Sequence, residues 1–381
     1  MRTGNRSKPA SRKPSPTPSE ARDRAIIRSL ASWYGRAARD LPWRTHPRDP
    51  YRSLVSELML QQTQVSRVLE KFEPFLARFP TIERLARGAE SDVLAAWSGL
   101  GYYRRAKLLH ACAKAVMQRH QGAMPREVSK LLELPGIGRY TAGAIASIVF
   151  GERAPIVDGN VCRVLQRLDG EQGHAGDKRI AAWAWQRAER LVTLTSRGRQ
   201  VARFNEGLME LGATVCTPDN PRCDRCPLRS TCVARREQRT AVIPAPKPRA
   251  RIRRVFHNVI VVRRRESSGK TSYLLEQRPA SGLWAGLWQP PAREGTEAAP
   301  DAFALAVQLE LHGLQLASTT PTCTVFGTTH REVHFRTWHA THSAKKAGAR
   351  RWVTEDELDT VAISNAHRGL IARSLQPSNP A

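Results

Sequence analysis

The chain changes its hydrophobic grammar once, and that break decides what it can fold into. Before residue 235, apolar residues recur at spacings of three and four in stretches such as Arg84 to Trp97 and Arg104 to Met117, cut by Gly and Pro. Gly99 and Gly101 end one stretch, and Pro125 precedes another. Amphipathic helices joined by short loops imply an all-α domain rather than a βαβ array. Residues 235–254 hold eight basic residues, one acid and Pro244, Pro246 and Pro248, the composition of a stiff cationic connector. Beyond it, Asn258-Val-Ile-Val-Val262, Ser272-Tyr-Leu-Leu-Glu276 and Phe335-Arg-Thr-Trp-His339 read as strands, and Pro300 to His312 as a helix. The C-terminal part is therefore α+β. The expected organisation is a basic tail over 1–21, a helical domain over 22–235, a linker over 236–254 and an α+β domain over 255–376.

Charge points to the partner. Lys and Arg number 61 against 34 Asp and Glu, a net +27, so a polyanion is the first expectation. No apolar run reaches the length of a membrane span, and the first twenty residues lack the apolar core of a secretory signal. The tail's basic, serine-containing composition suits a transit peptide, although its prolines spoil an amphipathic helix. A solvated arm that adds attraction to polyanions is the simpler reading. Seven cysteines without an export signal suit a reducing, cytoplasmic compartment, where thiols bind metal more often than they pair.

Four of those cysteines, Cys216, Cys223, Cys226 and Cys232, fall within seventeen residues in the spacing C-x6-C-x2-C-x5-C. Structural zinc more often uses two separated C-x2-C knuckles, and only one is present. An iron–sulfur cluster takes four thiolates at varied spacings, and the pattern favours it over zinc. Arg222, Arg225 and Arg229 around the loop suit either phosphate contact or ordinary surface charge. Cys112, Cys162 and Cys323 are scattered and read as packing residues.

Two further stretches carry candidate chemistry. Leu134-Pro-Gly-Ile-Gly-Arg-Tyr-Thr-Ala-Gly143 sets a tight turn at Gly136 and Gly138 before a helix, where amide groups approach a phosphate. Asp158 in Val157-Asp-Gly-Asn-Val161 is either a helix cap or a functional acid. Glu57, within Ser53-Leu-Val-Ser-Glu-Leu-Met-Leu-Gln-Gln-Thr-Gln-Val65, lies on a largely apolar helix; it is costly to bury unless paired or functional, and a surface position is the other reading.

Taken together, LPGIGRYTAG, VDGN, SELMLQQTQV, WSGLGYYRRAK and the cysteine loop resemble the adenine DNA glycosylases of the MutY type, members of the helix-hairpin-helix base-excision superfamily. The resemblance covers residues 25–240 strongly and the C-terminal part more loosely. It implies hydrolysis of the N-glycosidic bond of adenine mispaired with 8-oxoguanine or guanine, the base being flipped out of the stack. It implies Glu57 as the acid that protonates adenine N7, kept protonated by an apolar pocket, and Asp158 as the carboxylate that steadies the oxocarbenium-like sugar. Tyr140 and Asn160 match residues that position these groups, Gln62 and Tyr102 match residues that enter the duplex, and Arg44 and Glu206 match adenine-pocket contacts. Trp43 matches the pocket wall, or it packs. The resemblance also implies one 4Fe-4S cluster on the four cysteines, double-stranded DNA as partner, and a monomer associated with the nucleoid.

Two features refine that resemblance. Related endonuclease III-like lyases carry a lysine where Tyr140 stands, and a phenol cannot form their imine, so strand nicking is not expected. Arg278-Pro-Ala-Ser-Gly-Leu-Trp-Ala-Gly-Leu-Trp288 is similar to the family's 8-oxoguanine-sensing domain, whose fold is Nudix-like. The glutamate-rich magnesium helix of active Nudix hydrolases is missing around Glu310, so recognition rather than pyrophosphate cleavage is implied. Thr328-Thr-His-Arg-Glu-Val-His-Phe335 departs from the family's Phe-Ser-His, leaving His330, Arg331 and His334 as candidate lesion readers. The rival readings are an endonuclease III-like lyase, a non-catalytic iron–sulfur DNA-binding or electron-transfer protein, and a Nudix hydrolase with an accessory helical domain.

Overall fold

The computed structural model describes residues 17–246, 252–328, 330–342 and 349–374. Most of the expected tail and the middle of the linker lie outside them. The chain divides into two compact units that cut across its linear order. Among the described residues the first comprises 17–40, Arg126–Leu132 and 138–246; the second comprises Leu41–Pro125, Glu133–Ile137 and the chain from 252 onward.

The first unit is helical because its long helices carry apolar faces and most of them begin at a capping side chain. Thr17 caps the helix Pro18–Ala37, accepting from the Glu20 amide at 3.2 Å, with proline in its first turn. Asp158 starts Gly159–Asp169, and Gly170 ends it at φ 75°. Asp177 caps Lys178–Thr193. Ile26, Ile27 and Leu30 pack in one core with Val161, Leu165, Phe204, Leu208 and Leu211, the last three on the helix Arg199–Thr214. A Cβ at Gly207 would stand 3.0 Å from Leu30, so the glycine sets how closely the first and last of these helices approach. Asp23, 1% exposed, receives two bonds from Arg187 at 2.6 and 3.0 Å, while Arg187 also reaches Asp169.

The second unit joins five helices, Pro50–Leu60, Val65–Arg78, Ile82–Arg87, Glu90–Ala96 and Arg104–His120, to a mixed sheet. Trp97, Phe72 and Phe75 are fully buried among them, Phe75 meeting Trp97 edge-on at 5.9 Å. The apolar stretch from Arg84 to Trp97 is two helices rather than one. The chain leaves the first at Gly88, where a Cβ would meet the Phe79 ring at 2.8 Å.

The sheet has eight strands: β1 (Arg253–Arg265), β2 (Thr271–Gln277), β3 (Trp288–Gln289), β4 (Ala292–Gly295), β5 (Gln315–Leu316), β6 (Thr322–Gly327), β7 (Arg331–Thr341) and β8 (Arg351–Thr354). Its main path runs β3-β2-β1-β7-β5, with β4 also on β1, β6 on β7 and β8 on β2. Parallel pairing of β1 with β7, from Arg253 opposite Arg331 to Arg263 opposite Thr341, forms its spine. Alternation along both strands feeds two apolar layers. Val259, Val261, Val333 and Phe335 meet Leu370 and Ile371 of the helix Asn365–Arg373 on one face. Ile260, Val262 and Trp338 meet Leu305 and Leu309, from and just after the helix Ala302–Gln308, on the other. Within this unit the Tyr103 hydroxyl donates to the Ile363 carbonyl at 2.9 Å, tying helix to sheet domain.

Candidate active site and cysteine centre

Asp158 is both the cap of its helix and the centre of a polar chain. The Val161 amide donates to its Oδ1 at 2.7 Å, and Asn160 Nδ2 donates to its Oδ2 at 3.3 Å. Burial raises its pKa, opposed by those two bonds and by the nearby Arg163 guanidinium. Asn160 Oδ1 in turn accepts from Arg163 Nη2 at 2.8 Å; the same nitrogen reaches the Gly212 carbonyl at 2.9 Å, and Arg163 Nε reaches that of Cys216 at 2.9 Å. A Cβ at Gly212 would lie 2.7 Å from that of Asn160, so the helix Arg199–Thr214 is a tight wall behind it. One turn earlier on that wall, Met209 Sδ accepts from the Tyr140 hydroxyl at 3.0 Å. Asp158, Asn160 and Tyr140 thus belong to one unit and share one supporting helix.

Glu206 lies on the same helix at 6% exposure, a buried carboxylate rather than a surface charge. Its neighbour Glu210 is held by Arg39 at 2.7 and 3.1 Å. Arg163, the link between Asn160 and the cysteine loop, carries no signal in sequence, because an arginine on an amphipathic helix looks like any solvated cation.

Glu57 stands half-buried on Pro50–Leu60, flanked by buried Leu54, Val55, Ser56, Leu58 and Met59. This helix starts at Asp49, whose carboxylate accepts from the Arg52 amide at 2.8 Å. Glu57 belongs to the second unit and Asp158 to the first. Arg44 is half-buried, just beyond Trp43, which packs edge-on against Phe72 at 5.3 Å. Gln62 and Tyr102 are exposed and both have left-handed backbone, φ 54° and 48°, so Tyr102 is no core residue. Gly136 has φ 79°, and a Cβ there would come within 2.7 Å of that of Leu108; Gly138 faces open space.

The four cysteines line one concavity together with Arg167, Arg222, Arg229 and Arg235. Burial, with mutual repulsion among neighbouring thiols, raises the pKa of Cys223, Cys226 and Cys232, that of Cys226 to about 12. Arg167 grips the loop, donating to the Thr217 and Pro218 carbonyls at 2.6 and 2.8 Å and to Cys216 Sγ at 3.5 Å, while Cys232 Sγ approaches the Arg167 carbonyl at 3.3 Å. Among the described residues no three His, Cys, Asp or Glu side chains converge on the position of a single metal ion. Four soft donors line one pocket. Cys112 and Cys162 are buried as expected of packing residues; Cys323 is instead exposed, on β6.

In the sheet domain, His330 is exposed at the turn between β6 and β7, and Arg331 opens β7 half-buried. His334 is engaged within the domain, its Nε2 2.6 Å from Glu332 and its ring 5.0 Å from that of Phe256. The helix Ala302–Gln308 contains no carboxylate. No helix of the described residues is long and apolar enough to cross a membrane.

Comparison with known proteins agrees with this architecture. Residues 55–190 match the HhH-GPD superfamily of base excision DNA repair proteins, and residues 258–373 match the NUDIX domain. The rat adenine DNA glycosylase is 33% identical over 397 residues, which cover 90% of this chain and 76% of the relative. The human adenine DNA glycosylase is 33% identical, covering 89% of this chain and 72% of the relative. That of Mycobacterium tuberculosis is 44% identical over 52% of this chain and 64% of its own length. Among solved structures, a thermostable thymine-DNA glycosylase aligns at TM-score 0.50 and 28% identity, over 57% of this chain and 99% of its own.

Proposed function

Since the chain belongs to the adenine DNA glycosylases, hydrolases of N-glycosyl bonds, we propose that it excises adenine opposite 8-oxoguanine or guanine and leaves an abasic site. In this reading Glu57 donates a proton to adenine N7, and the bond to the sugar breaks as the electron pair departs with the base. Asp158 stays ionised beside the positive sugar while water adds to the anomeric carbon and releases a proton to solvent, leaving the abasic hydroxyl. The observation that carries the proposal is the fixing of Asp158: an amide and an asparagine hold the carboxylate in place at the edge of the core.

Tyr140 supports a hydrolytic rather than lyase reaction, because no amine stands at that position and its hydroxyl is spent on Met209. The four cysteines would hold a 4Fe-4S cluster, which when bound would cross-link the loop that Arg163 and Arg167 grip. Of the three candidate lesion readers, His330 is favoured, since His334 is engaged by Glu332 and Phe256.

The experiment is single-turnover excision from duplexes carrying adenine opposite 8-oxoguanine, guanine or thymine, with product strands examined before and after alkali. Wild type should release adenine from the first two and break the strand only after alkali. Glu57→Gln should slow release by about 10²–10⁴-fold, and His330→Ala should narrow the preference for 8-oxoguanine over guanine. Undiminished release by Glu57→Gln refutes the assignment of the acid.

A further inference from the structure

Arg105 is 7% exposed, yet its guanidinium answers to main-chain carbonyls and a hydroxyl in place of a carboxylate. Nη1 donates to the carbonyls of Leu58 and Met59, both at 2.8 Å, and to that of Gln61. Nη2 donates to Thr63 Oγ1 at 2.9 Å and to the carbonyls of Leu100 and Gly101 at 3.3 and 3.2 Å. One planar fork therefore fastens two segments of the second unit: the C-terminal end of the Glu57 helix and the loop before Tyr103. Each segment carries a non-glycine residue in left-handed conformation with an exposed side chain, Gln62 and Tyr102. L side chains rarely adopt that backbone, and it persists only where the surroundings over-determine it. The Tyr102 ring lies 5.3 Å from the Arg105 guanidinium carbon, and Trp97 Nε1 adds a bond to the Gly101 carbonyl at 3.0 Å.

We propose that Arg105 is a positioning residue for duplex opening: it holds the backbones of Gln62 and Tyr102 so that both side chains enter the base stack, and it acts on adenine extrusion rather than on bond cleavage. The proposal rests on the reading of Gln62 and Tyr102 as wedges. Lysine cannot replace it, because a point ammonium on a flexible stem cannot span acceptors that the two Nη groups of a rigid planar fork bridge.

The test compares full-length Arg105→Lys with wild type on two substrates, the adenine:8-oxoguanine duplex and a duplex presenting the target adenine as a single-base bulge, which unstacks cheaply. 2-Aminopurine beside the target reports unstacking. Arg105→Lys should lower both unstacking and excision in the paired duplex by roughly tenfold or more, the worth of one or two charge-assisted hydrogen bonds, and lower excision from the bulge much less. Thr63→Val, which removes one acceptor and leaves the arginine in place, should shift the same ratio by about threefold and serves where Arg105→Lys does not fold. Equal losses on both substrates, or none on either, overturn the proposal. Gln62→Ala and Tyr102→Ala, run alongside, separate the two claims. If they leave unstacking intact, the wedge reading fails and takes the proposal with it; if they impair unstacking while Arg105→Lys does not, the role of Arg105 alone fails.

Discussion

Replacing Asp158 by Asn should separate folding from chemistry within one side chain. The wild-type carboxylate contributes a helix cap, through the 2.7 Å bond from the Val161 amide, and a negative charge in a partly desolvated position. Asparagine caps as well as aspartate, whereas alanine costs about 1 kcal/mol, within a range of roughly 0.5–2. Asp158→Ala should therefore melt a few degrees lower, and Asp158→Asn should match or exceed wild type. Chemistry runs the other way: loss of the charge beside the cationic sugar should slow excision by about 10²–10³-fold in both variants, the scale of one preorganised electrostatic contact. The pH dependence follows from burial, which raises the Asp158 pKa above its ordinary 3.8. The native state then binds this proton more tightly than the unfolded chain, so the site's contribution to stability is greatest at low pH and falls as pH rises from 3.8 through the native value. Asp158→Asn removes that fall, and its advantage over wild type should grow across the same window. Thermal melts over a pH series, with single-turnover excision on the same samples, measure both. If Asp158→Asn melts as low as Asp158→Ala, or still excises adenine at the wild-type rate, the dual role is wrong.

Arg163→Met, which severs Asn160 from the Cys216 carbonyl, should lower excision by about tenfold or more and reduce bound iron; parallel iron assay and kinetics check it. Purified protein should carry about four irons per chain with visible absorption, and Cys226→Ser should lose both together with thermal stability. Asp23→Ala leaves the buried Arg187 guanidinium with half its carboxylate partners and should cost about 3–5 kcal/mol in urea unfolding.

Much of this architecture was legible beforehand, because periodicity reports burial directly. The long helices and the three strands β1, β2 and β7 all bury a continuous apolar face. The short strands were not legible: β3 and β5 are two residues each, and β6 buries little on either face. The break at Gly88 was missed because the apolar spacing continues through it; only packing against Phe79 reveals the turn. The candidate acids were visible as residue types, and of the two readings of Asp158 the structure shows the helix cap. Arg105 and Arg163 were invisible for a shared reason. Most of their partners are backbone carbonyl oxygens, which every residue possesses, so no residue pattern announces them.

The helix that opens the first unit cannot complete its core alone, since Leu30 lies against Gly207 and shares its cluster with Phe204 and Leu208. During synthesis the ribosome must add some 170 residues before that surface is covered, on the order of ten to thirty seconds at translation speeds of about 5–20 residues per second. A nascent chain of this protein accordingly displays an uncovered oily stripe for nearly half of its manufacture, a surface open to the chaperones waiting at the exit tunnel.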